Sequence, residues 1–527
     1  MGRVYVTLLI TALIGLSCCK RDDKIDHQTE IVFQKLVYPT NDTTVTLADN
    51  NADPIEFYWD RATTKDKTTV FYKIVFDDEK GDFSTPLLEL VPDKLGTQNN
   101  FSLGRDQLDI LAKKAGVSKG MPIKIKWTIK AANGIASSIL NAYNIFELHA
   151  EDQDEVSSIF KNADELMTSL TTLYLDGKPR DIWTNTYPQS DGYWDGAAVI
   201  WGHGAAFSGY VALKEAAERY PAYKSKYKQQ YDQRLLTAID KFRNKRNDGP
   251  EAYAVYPGES DERFYDDNIW VGLDMVDLYE LTKEQKYLDR AKLVWEFVKS
   301  GTDNSLGGGV YWKEGTPGKN TCSTAPAAVL AAKLYQATKE KSYLDSAKEL
   351  YQWLKNTLQD HSDYLYWDNV RLNDPNDPES GLKIDKTKYT YNAGQPMQAA
   401  VLLYKLTGES SYLEEAKNIA ASAYKKWFIP FKSEILGESF QILEPGHVWF
   451  QAILLRGYVE LFQVDAVDTY VSAYKKTLQH AWASSARNKN TNLLNTDFRG
   501  GTTQGKWEIL YEGACVEMMA RLAKLED

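Results

Sequence analysis

The sequence LYELTKEQKYLDRA, residues 278–291, returns twice further along the chain, as LYQATKEKSYLDSA at 334–347 and LYKLTGESSYLEEA at 403–416. In all three copies the Leu-Tyr pair, the Thr, the Tyr-Leu pair and the Ala keep the same offsets. One helix should end at the Thr, with Gly408 beside it in the third copy, and the Tyr-Leu pair should open the next helix with the Ala on its packed face. The repeat therefore predicts consecutive helix pairs, which are typical of a helical array.

The helical periodicity extends from residue 151 to residue 527, and we assign this range to one domain. At the spacing of the repeat, about 375 residues hold roughly six helix pairs. Such an array either stays open, as a solenoid used for protein binding, or closes into a ring. We favour a closed (α/α)6 toroid, because the intervals between the repeats are irregular and the loops are long. Closure leaves a central cleft at the inner helix ends, where loops can carry a site.

Residues 20–150 have a different pattern. The runs 55–60 and 70–76 are rich in aromatic and β-branched residues, and 123–129 alternates apolar and polar residues with period two. Short strands separated by Asn- and Asp-rich turns indicate a small Ig-like β-sandwich. The expected fold class is therefore mainly α, with an (α/α)6 toroid preceded by this sandwich. Residues 59–63 resemble part of the N-terminal domain of SusE-like outer-membrane glycan-binding lipoproteins.

Residues 1–19 have the features of a bacterial lipoprotein signal peptide: a short basic region and an apolar run too short to span a bilayer. The sequence LSCC at 16–19 resembles a lipobox, in which either Cys18 or Cys19 is the candidate for lipidation. The charged residues 20–23 resemble the surface-export signal of Bacteroidetes lipoproteins. We therefore expect an outer-membrane lipoprotein exposed at the cell surface. A periplasm-facing lipoprotein and an ordinary secretory signal are the alternatives.

The composition limits the class of ligand. The 527 residues carry a net charge of −11, which gives no electrostatic footprint for nucleic acid. The chain contains 14 Trp and 33 Tyr, whose rings fill cores and also stack on flat apolar ligand faces, including sugar rings. A neutral ligand therefore fits better than a polyanion. The Cys and His residues form no cluster at metal-ligand spacing, so no metal site is expected. Pairing of Cys322 with Cys515 stays open.

Asp266 and Asp267 stand among aromatic residues in ERFYDDNIWVGL, residues 262–273. One interpretation is a solvated helix start, where acidic residues complement the positive end of the helix dipole. The other is a catalytic pair. If one of the two is non-helical, neighbours whose Cα atoms are about 3.8 Å apart can bring their carboxyl groups to about 5 Å, the separation found in retaining glycosidases. Mutual repulsion would raise one pKa and keep that group protonated.

The hexapeptide YDDNIW at 265–270 resembles the signature of glycoside hydrolase family 76, whose members are (α/α)6 endo-acting α-1,6-mannanases. Further stretches agree with the family in order and spacing: GGVYW at 308–312, KNTCSTAP at 319–326, YTYNAGQ at 389–395 and WFQAILLRG at 449–457. The resemblance covers about residues 152 to 527. By position it implies Asp266 as the nucleophile and Asp267 as the general acid/base.

The resemblance also implies residues that contact substrate. The candidates within the motifs are Tyr265, Asn268, Trp312, Asn320, Tyr391 and Asn392. Trp194 is a further candidate for the cleft, with a position in the inter-helix core as the alternative. The chain departs from the family pattern at Ala393, where a bulkier polar residue is common, and at Gln451, where Lys is common. Both departures bear on subsite preference.

The sequence thus predicts a retaining hydrolase of α-1,6-mannosidic bonds in mannan, endo-acting, that needs no cofactor because two carboxylates suffice for the chemistry. The expected partners are the α-mannan substrate, the membrane through a lipid anchor, and proteins of a glycan-uptake complex; nucleic acid is not expected, and the protein should be a monomer. Two alternatives remain. One is a glycan-binding lipoprotein with little catalysis, and the other is a transglycosylase on the same fold.

Overall fold

The structure is a computed structural model that describes residues 30–33, 35–41, 43–47, 54–65, 67–116, 122–134, 136–150, 156–190, 196–247, 249–258 and 262–526. The chain divides into two compact units, Met1–Gln153 and Asp154–Asp527. Within the described ranges, no helix combines the length and the apolar character that crossing a membrane requires.

The first unit is built mainly from strands. In chain order its elements are β1 (Leu36–Tyr38), β2 (Thr43–Leu47), β3 (Ile55–Trp59), β4 (Phe71–Asp78), β5 (Leu88–Leu90), α1 (Asp93–Gly96), β6 (Asn100–Leu103), α2 (Arg105–Ala115), β7 (Ile123–Ala132), β8 (Ser137–Ile139) and β9 (Asn144–Ala150). One sheet has the order β1-β3-β6. The other has the order β2-β9-β7-β4-β5, with β8 also paired to β7, and its β2–β9 pair is parallel.

Aromatic side chains join the two sheets of this unit. Phe57 from the smaller sheet makes edge-to-face contacts with Phe76 and Trp127 of the larger one, at ring-centroid distances of 5.3 and 5.1 Å. All three rings are fully buried, as the alternating pattern of half-buried strands requires. The predicted sandwich is confirmed, but helix α2 was not predicted, because the sequence analysis assigned this whole region to strands.

The second unit is helical. Its helices are α3 (Ser158–Leu170), α4 (Ile200–Ala216), α5 (Pro221–Gln230), α6 (Asp232–Asp240), α7 (Tyr265–Thr282), α8 (Gln285–Ser300), α9 (Thr321–Thr338), α10 (Lys341–Leu358), α11 (Tyr391–Thr407), α12 (Ser410–Trp427), α13 (Val448–Asp465), α14 (Thr469–Ala483) and α15 (Ile509–Ala523). Helices α4, α7, α9, α11, α13 and α15 are buried on nearly all sides, whereas α3, α8, α10, α12 and α14 are buried along one face.

The buried helices form a closed ring. Among the described residues, α4 packs on α7, α7 on α9, α9 on α11, α11 on α13, α13 on α15, and α15 returns to α4. One amphipathic helix precedes each of these six, with α6 in that place before α7. The expected (α/α)6 toroid is therefore confirmed, and the open solenoid is excluded by the contact between α15 and α4.

Short strands occupy the loops of the helical unit. They are β10 (Thr186–Tyr187), β11 (Arg243–Asn244), β12 (Ala252–Tyr253), β13 (Lys319–Asn320), β14 (Asn369–Leu372), β15 (Leu382–Asp385), β16 (Phe428–Ser433), β17 (Glu438–Leu443) and β18 (Trp507–Glu508). β13, β14 and β15 make one antiparallel sheet, while β10 pairs with β18, β11 with β12 and β16 with β17. These strands were not predicted: seven of them have two to four residues, too few for a recognisable alternation, whereas β16 and β17 have six residues each and were missed.

The repeated sequence motif forms the same turn three times. Helices α7, α9 and α11 end at Thr282, Thr338 and Thr407, and the next residue is left-handed each time. Each threonine hydroxyl donates to the carbonyl four residues earlier at 2.7 to 2.8 Å. The same hydroxyl accepts the backbone N–H of the glutamate two residues later at 3.1 to 3.2 Å. One side chain thus ends one helix and fixes the start of the next.

We expect Thr282→Val, Thr338→Val and Thr407→Val each to lower the free energy of unfolding of the helical unit by about 1–2 kcal/mol. Each replacement removes both hydrogen bonds and leaves the N–H of the following glutamate without its partner. Chemical denaturation followed by tryptophan fluorescence measures the loss. The Thr→Ser replacements are the controls, since they keep the hydroxyl; equal losses for Val and Ser would contradict this role.

Candidate active site

Asp266 and Asp267 lie in the first turn of α7. Phe264 is extended, with φ −101° and ψ 138°, and the helix begins at Tyr265. The backbone N–H of Asp267 donates to Asp266 Oδ1 at 2.9 Å. The sequence analysis expected one aspartate to be non-helical, but both are helical. The first-turn N–H groups have no carbonyl partner within the helix, so this position favours a carboxylate.

Two side chains from other parts of the chain, one in a loop and one in α9, reach Asp266. The Trp312 indole Nε1–H donates to Asp266 Oδ2 at 3.1 Å. The thiol of Cys322, the second residue of α9, also donates to this carboxylate. Cys322 and Cys515, whose pairing the sequence left open, are both buried free thiols.

The loop before Trp312 is held by glycines. Gly308 and Gly309 have φ of +130° and +79°, which residues with a side chain rarely adopt. A Cβ on Gly309 would stand 2.5 Å from the Trp353 ring of α10. The glycine-rich run therefore lets the backbone lie directly on Trp353 and carries Trp312 to the head of α7, where Tyr265 N–H donates to the Trp312 carbonyl at 2.9 Å.

An ion pair between the buried Arg263 and the partly exposed Glu314 fixes the approach to α7. Arg263 is 2% exposed and donates to both oxygens of Glu314, at 3.0 and 2.6 Å, and to the Pro250 carbonyl at 2.9 Å. Phe264, next in sequence, bridges to Lys313, which precedes Glu314. The pair thus joins the segment before the two aspartates to the segment after Trp312. The sequence analysis missed it, because no local pattern links residues 51 positions apart.

The two carboxyl groups have different surroundings. Burial raises the pKa of Asp266, and the donors from Asp267, Cys322 and Trp312 act against that rise. Burial also raises the pKa of Asp267, to well above its ordinary value, and the neighbouring Asp266 charge adds to the rise. Within the described residues, the Asp267 carboxyl has no hydrogen-bond donor. The net result is a pKa of about 7 for Asp266 and a still larger rise for Asp267, so Asp266 ionises first while Asp267 stays protonated.

A cleft of about 780 Å³ opens beside the pair. Trp312, Asn320, Cys322, Asp368, Tyr389, Tyr391 and Phe450 line it, together with the β14–β15 hairpin. Both catalytic candidates are partly exposed and stand at the edge of this cleft, since Asp266 contacts two of its lining residues. Tyr391 stacks on Phe450 with ring centroids 4.0 Å apart, and its hydroxyl bonds Cys322.

Asp368 is a cleft residue that the sequence analysis missed. It accepts a hydrogen bond from Asn392 Nδ2 at 3.0 Å and another from Asn369 at 2.9 Å. Burial raises its pKa in spite of these donors. Its only signal in the sequence is a Trp-Asp-Asn triplet at 367–369, which has no helical or strand pattern around it.

The structure brings Trp312, Asn320 and Tyr391 together in the cleft, as expected. Asn392 is 1% exposed and lies behind Asp368, so it holds that carboxylate rather than facing the cleft. Trp194 and the two lipidation candidates Cys18 and Cys19 lie outside the described residues.

Two expectations for substrate contact were wrong. Tyr265 is 4% exposed and stacks on Phe297 of α8 at 4.6 Å, so it faces the outer layer of helices. Asn268 is fully buried, and its amide bonds the N–H and carbonyl of Tyr253 and the carbonyl of Phe264. A buried side chain whose polar atoms are bonded to backbone has no atom left for a sugar.

Solved structures and curated relatives resemble the chain. A glycoside hydrolase family 76 mannosidase from Bacteroides thetaiotaomicron VPI-5482 is 45% identical over 70% of this chain and 99% of that chain, with a TM-score of 0.67. A family 76 glycoside hydrolase from a bovine Bacteroides thetaiotaomicron strain is 34% identical over 95% of this chain and 99% of that chain, with a TM-score of 0.68.

A curated mannan endo-1,6-alpha-mannosidase of Candida glabrata is 31% identical over 117 residues, 21% of this chain and 25% of the relative. The Meiotically up-regulated gene 191 protein of Schizosaccharomyces pombe is 25% identical over 37% of this chain and 46% of the relative. The chain thus spans less than half the length of either curated relative.

Residues 21–130 match the family model described as SusE outer membrane protein. The model described as glycosyl hydrolase family 76 matches residues 158–526, and the chain belongs to that family.

Proposed function

We propose that this protein is a retaining glycoside hydrolase that cleaves internal α-1,6-mannosidic bonds of mannan. One observation carries the proposal: two consecutive carboxyl groups stand at the edge of an aromatic-lined cleft, in surroundings that raise the pKa of Asp267 further than that of Asp266. A nucleophile and a general acid need that difference. The substrate follows from the relatives, because the Bacteroides structure is named as a mannosidase and the Candida protein as a mannan endo-1,6-alpha-mannosidase.

In the first step, the Asp266 carboxylate attacks the anomeric carbon of the mannosyl unit. The glycosidic bond breaks, and the leaving oxygen takes the proton of Asp267, so that a mannosyl ester of Asp266 remains. Neutralising Asp266 removes the negative charge that holds the pKa of Asp267 up. Asp267, now ionised, is thereby prepared for the next step.

In the second step, Asp267 takes a proton from a water molecule whose oxygen attacks the same anomeric carbon. The ester bond breaks, Asp266 returns to the ionised state and Asp267 to the protonated one. The Trp312 and Cys322 donors stabilise the charge on Asp266 each time it is released. Two displacements at one carbon keep the configuration of the substrate.

The cleft suits several sugar units of a neutral chain. Its volume of about 780 Å³ is in the range of sites for drug-sized ligands, which are larger than one monosaccharide. Trp312 and Tyr389 are 42% and 38% exposed, so their rings offer apolar faces to pyranose rings. An open cleft with such walls supports action within a chain rather than at its end.

We further propose that the protein is an outer-membrane lipoprotein exposed at the cell surface and anchored through Cys18 or Cys19, where it acts with proteins of a glycan-uptake complex. The match of residues 21–130 to the SusE outer membrane family supports this location. Two or more acyl chains on one cysteine anchor a protein stably in the membrane.

We expect Asp266→Asn to lower turnover of unbranched α-1,6-mannan by about a thousandfold or more, because an amide cannot form the covalent intermediate. Product sizes and reducing ends measure turnover, and circular dichroism measures folding. Asp289→Asn is the matched control, since Asp289 is an exposed residue of the outer helix α8. Turnover that survives in the Asp266 variant would exclude Asp266 as the nucleophile.

We expect Trp312→Phe to move the acidic limb of the kcat/KM profile to higher pH. The indole N–H stabilises the charged form of Asp266, so its loss raises the pKa of that carboxyl and reduces the ionised fraction at low pH. At pH 5 the loss of kcat/KM should be about threefold to tenfold. Trp482→Phe, on the outer helix α14, is the matched control. An acidic limb that stays in place, or moves to lower pH, would contradict the role of Trp312.

Labelled palmitate fed to expressing cells should enter the full chain, and replacing both Cys18 and Cys19 with Ser should abolish the label. Only a thiol accepts the diacylglyceryl group, so the single variants identify the modified residue by which of them stays unlabelled. Label that persists in the double variant would contradict a lipid anchor at this site.

A further inference from the structure

The segment that carries Trp312 is bonded to the first turn of α9. The Val310 N–H donates to Thr324 Oγ1 at 3.0 Å, and the Val310 carbonyl accepts the Ser323 hydroxyl at 2.9 Å. Val310 comes two residues before Trp312, and Ser323 comes directly after Cys322. These bonds therefore fix the position of Trp312 relative to Cys322, and both residues donate to the carboxylate of the candidate nucleophile.

Lys319 joins the same two segments through a buried charge. Its side chain is fully buried, and its Nζ donates to the Asp303 carbonyl at 2.9 Å and to Asp303 Oδ1 at 2.6 Å. The same ammonium lies 4.6 Å from the centre of the Tyr311 ring, and the Tyr311 hydroxyl donates to Asp303 Oδ2 at 2.8 Å. We call Asp303, Tyr311 and Lys319 the lysine cluster. It connects both ends of the loop 303–312 to β13, the strand that leads into α9.

The pairing of the lysine cluster restricts the loop to one arrangement. Burial lowers the pKa of Lys319, and the Asp303 carboxylate acts against that fall. Burial would raise the pKa of Asp303, but hydrogen bonds from Lys319, Ser305 and Tyr311 bring it down to about 2. Asp303 is therefore ionised near neutral pH. Moving it away would leave the ammonium buried without its partner, which is costly.

The lysine cluster is separate from the groups that surround the nucleophile. Lys319 is not among the described residues that line the cleft, and its Nζ donates to Asp303. The titratable groups around Asp266 and its thiol donor come from α7 itself, two further helices and one loop: Asp267, Cys322, Tyr391 and Asp368. Lys319 can therefore reach the nucleophile only through the loop or through its electric field.

We propose that Lys319 is a positioning residue that keeps the Trp312 indole and the Cys322 thiol directed at the nucleophile. It acts through the loop with which it pairs and touches no substrate. Trp312 is 42% exposed, so packing alone does not fix its indole. The inference rests on the proposed function, in which Asp266 is the nucleophile.

Two variants break the pair from its opposite ends. Lys319→Met removes a positive charge at similar side-chain length, and Asp303→Asn removes a negative charge. If the lysine cluster acted only through its electric field, the two variants would move the acidic limb of the kcat/KM profile in opposite directions. If it acts by position, both variants weaken the donors of Asp266, and both move the limb to higher pH.

We expect each variant to lower kcat/KM for α-1,6-mannan at pH 5 by about threefold to tenfold, with a smaller loss at higher pH. In the Trp312→Phe background, Lys319→Met should cost less than it does alone, because one of the two donors is already absent. Shifts of the two variants in opposite directions, an acidic limb that stays in place, or fully additive losses overturn the inference.

Lys214→Met is the matched control. Lys214 is a buried lysine in the last turn of α4, and it is paired with Asp232 at 2.9 Å. Its replacement also breaks a buried pair, but it should leave the acidic limb in place. An equal shift in the Lys214 variant would assign the effect to lost stability and overturn the inference.

The indole signal of Trp312 tests the inference without catalysis. Tryptophan labelled with nitrogen-15 gives one indole N–H signal per ring, and Trp312→Phe identifies the signal of Trp312. The chemical shift should follow the ionisation of Asp266, with a midpoint at higher pH in the Lys319→Met and Asp303→Asn chains. If the protein cleaves no mannan, the proposed function fails, and this titration still decides the inference: an unchanged midpoint in both variants overturns it.

Discussion

The structure depends on the closed ring of six buried helices, α4, α7, α9, α11, α13 and α15, which we call the inner helices. Charged groups are buried between these helices. Arg456 of α13 is 3% exposed and binds both oxygens of the fully buried Glu517 of α15, at 2.6 and 3.0 Å, and Arg521 donates to the same glutamate at 2.7 Å. Ser208 of α4 donates to Asp274 of α7 at 2.6 Å. Removing one partner of such a buried pair costs about 3–5 kcal/mol, so these contacts restrict the ring to one register.

The alignment of the inner helices brings the residues of the candidate active site together. Asp266 is the second residue of α7, Cys322 the second of α9, Tyr391 the first of α11 and Phe450 the third of α13, and contacts link all four. The inner helices therefore begin at one end of the ring, and their first turns surround the cleft. The positive ends of several helix dipoles act on this region and oppose the rise that burial causes in the pKa of Asp266.

The sequence was sufficient to predict the features that depend on residues close together in the chain. The threonine turn repeats because one side chain makes the same two bonds in three places, and the adjacent aspartates mark the head of α7. It failed for Tyr265 and Asn268, because their burial depends on contacts with distant residues: Tyr265 stacks on Phe297, and Asn268 bonds the Tyr253 backbone. Asp368 and the Arg263–Glu314 pair were missed because they depend on contacts between distant loops.

If two consecutive carboxyl groups act by double displacement, the enzyme retains the configuration of the anomeric carbon. Proton NMR of the products in the first minutes of α-1,6-mannan cleavage tests this, because it records the configuration of the new reducing end before mutarotation. We expect the α-anomer to appear first and the β-anomer only later. First appearance of the β-anomer would mean a single displacement by water, and Asp266 would then not be a nucleophile.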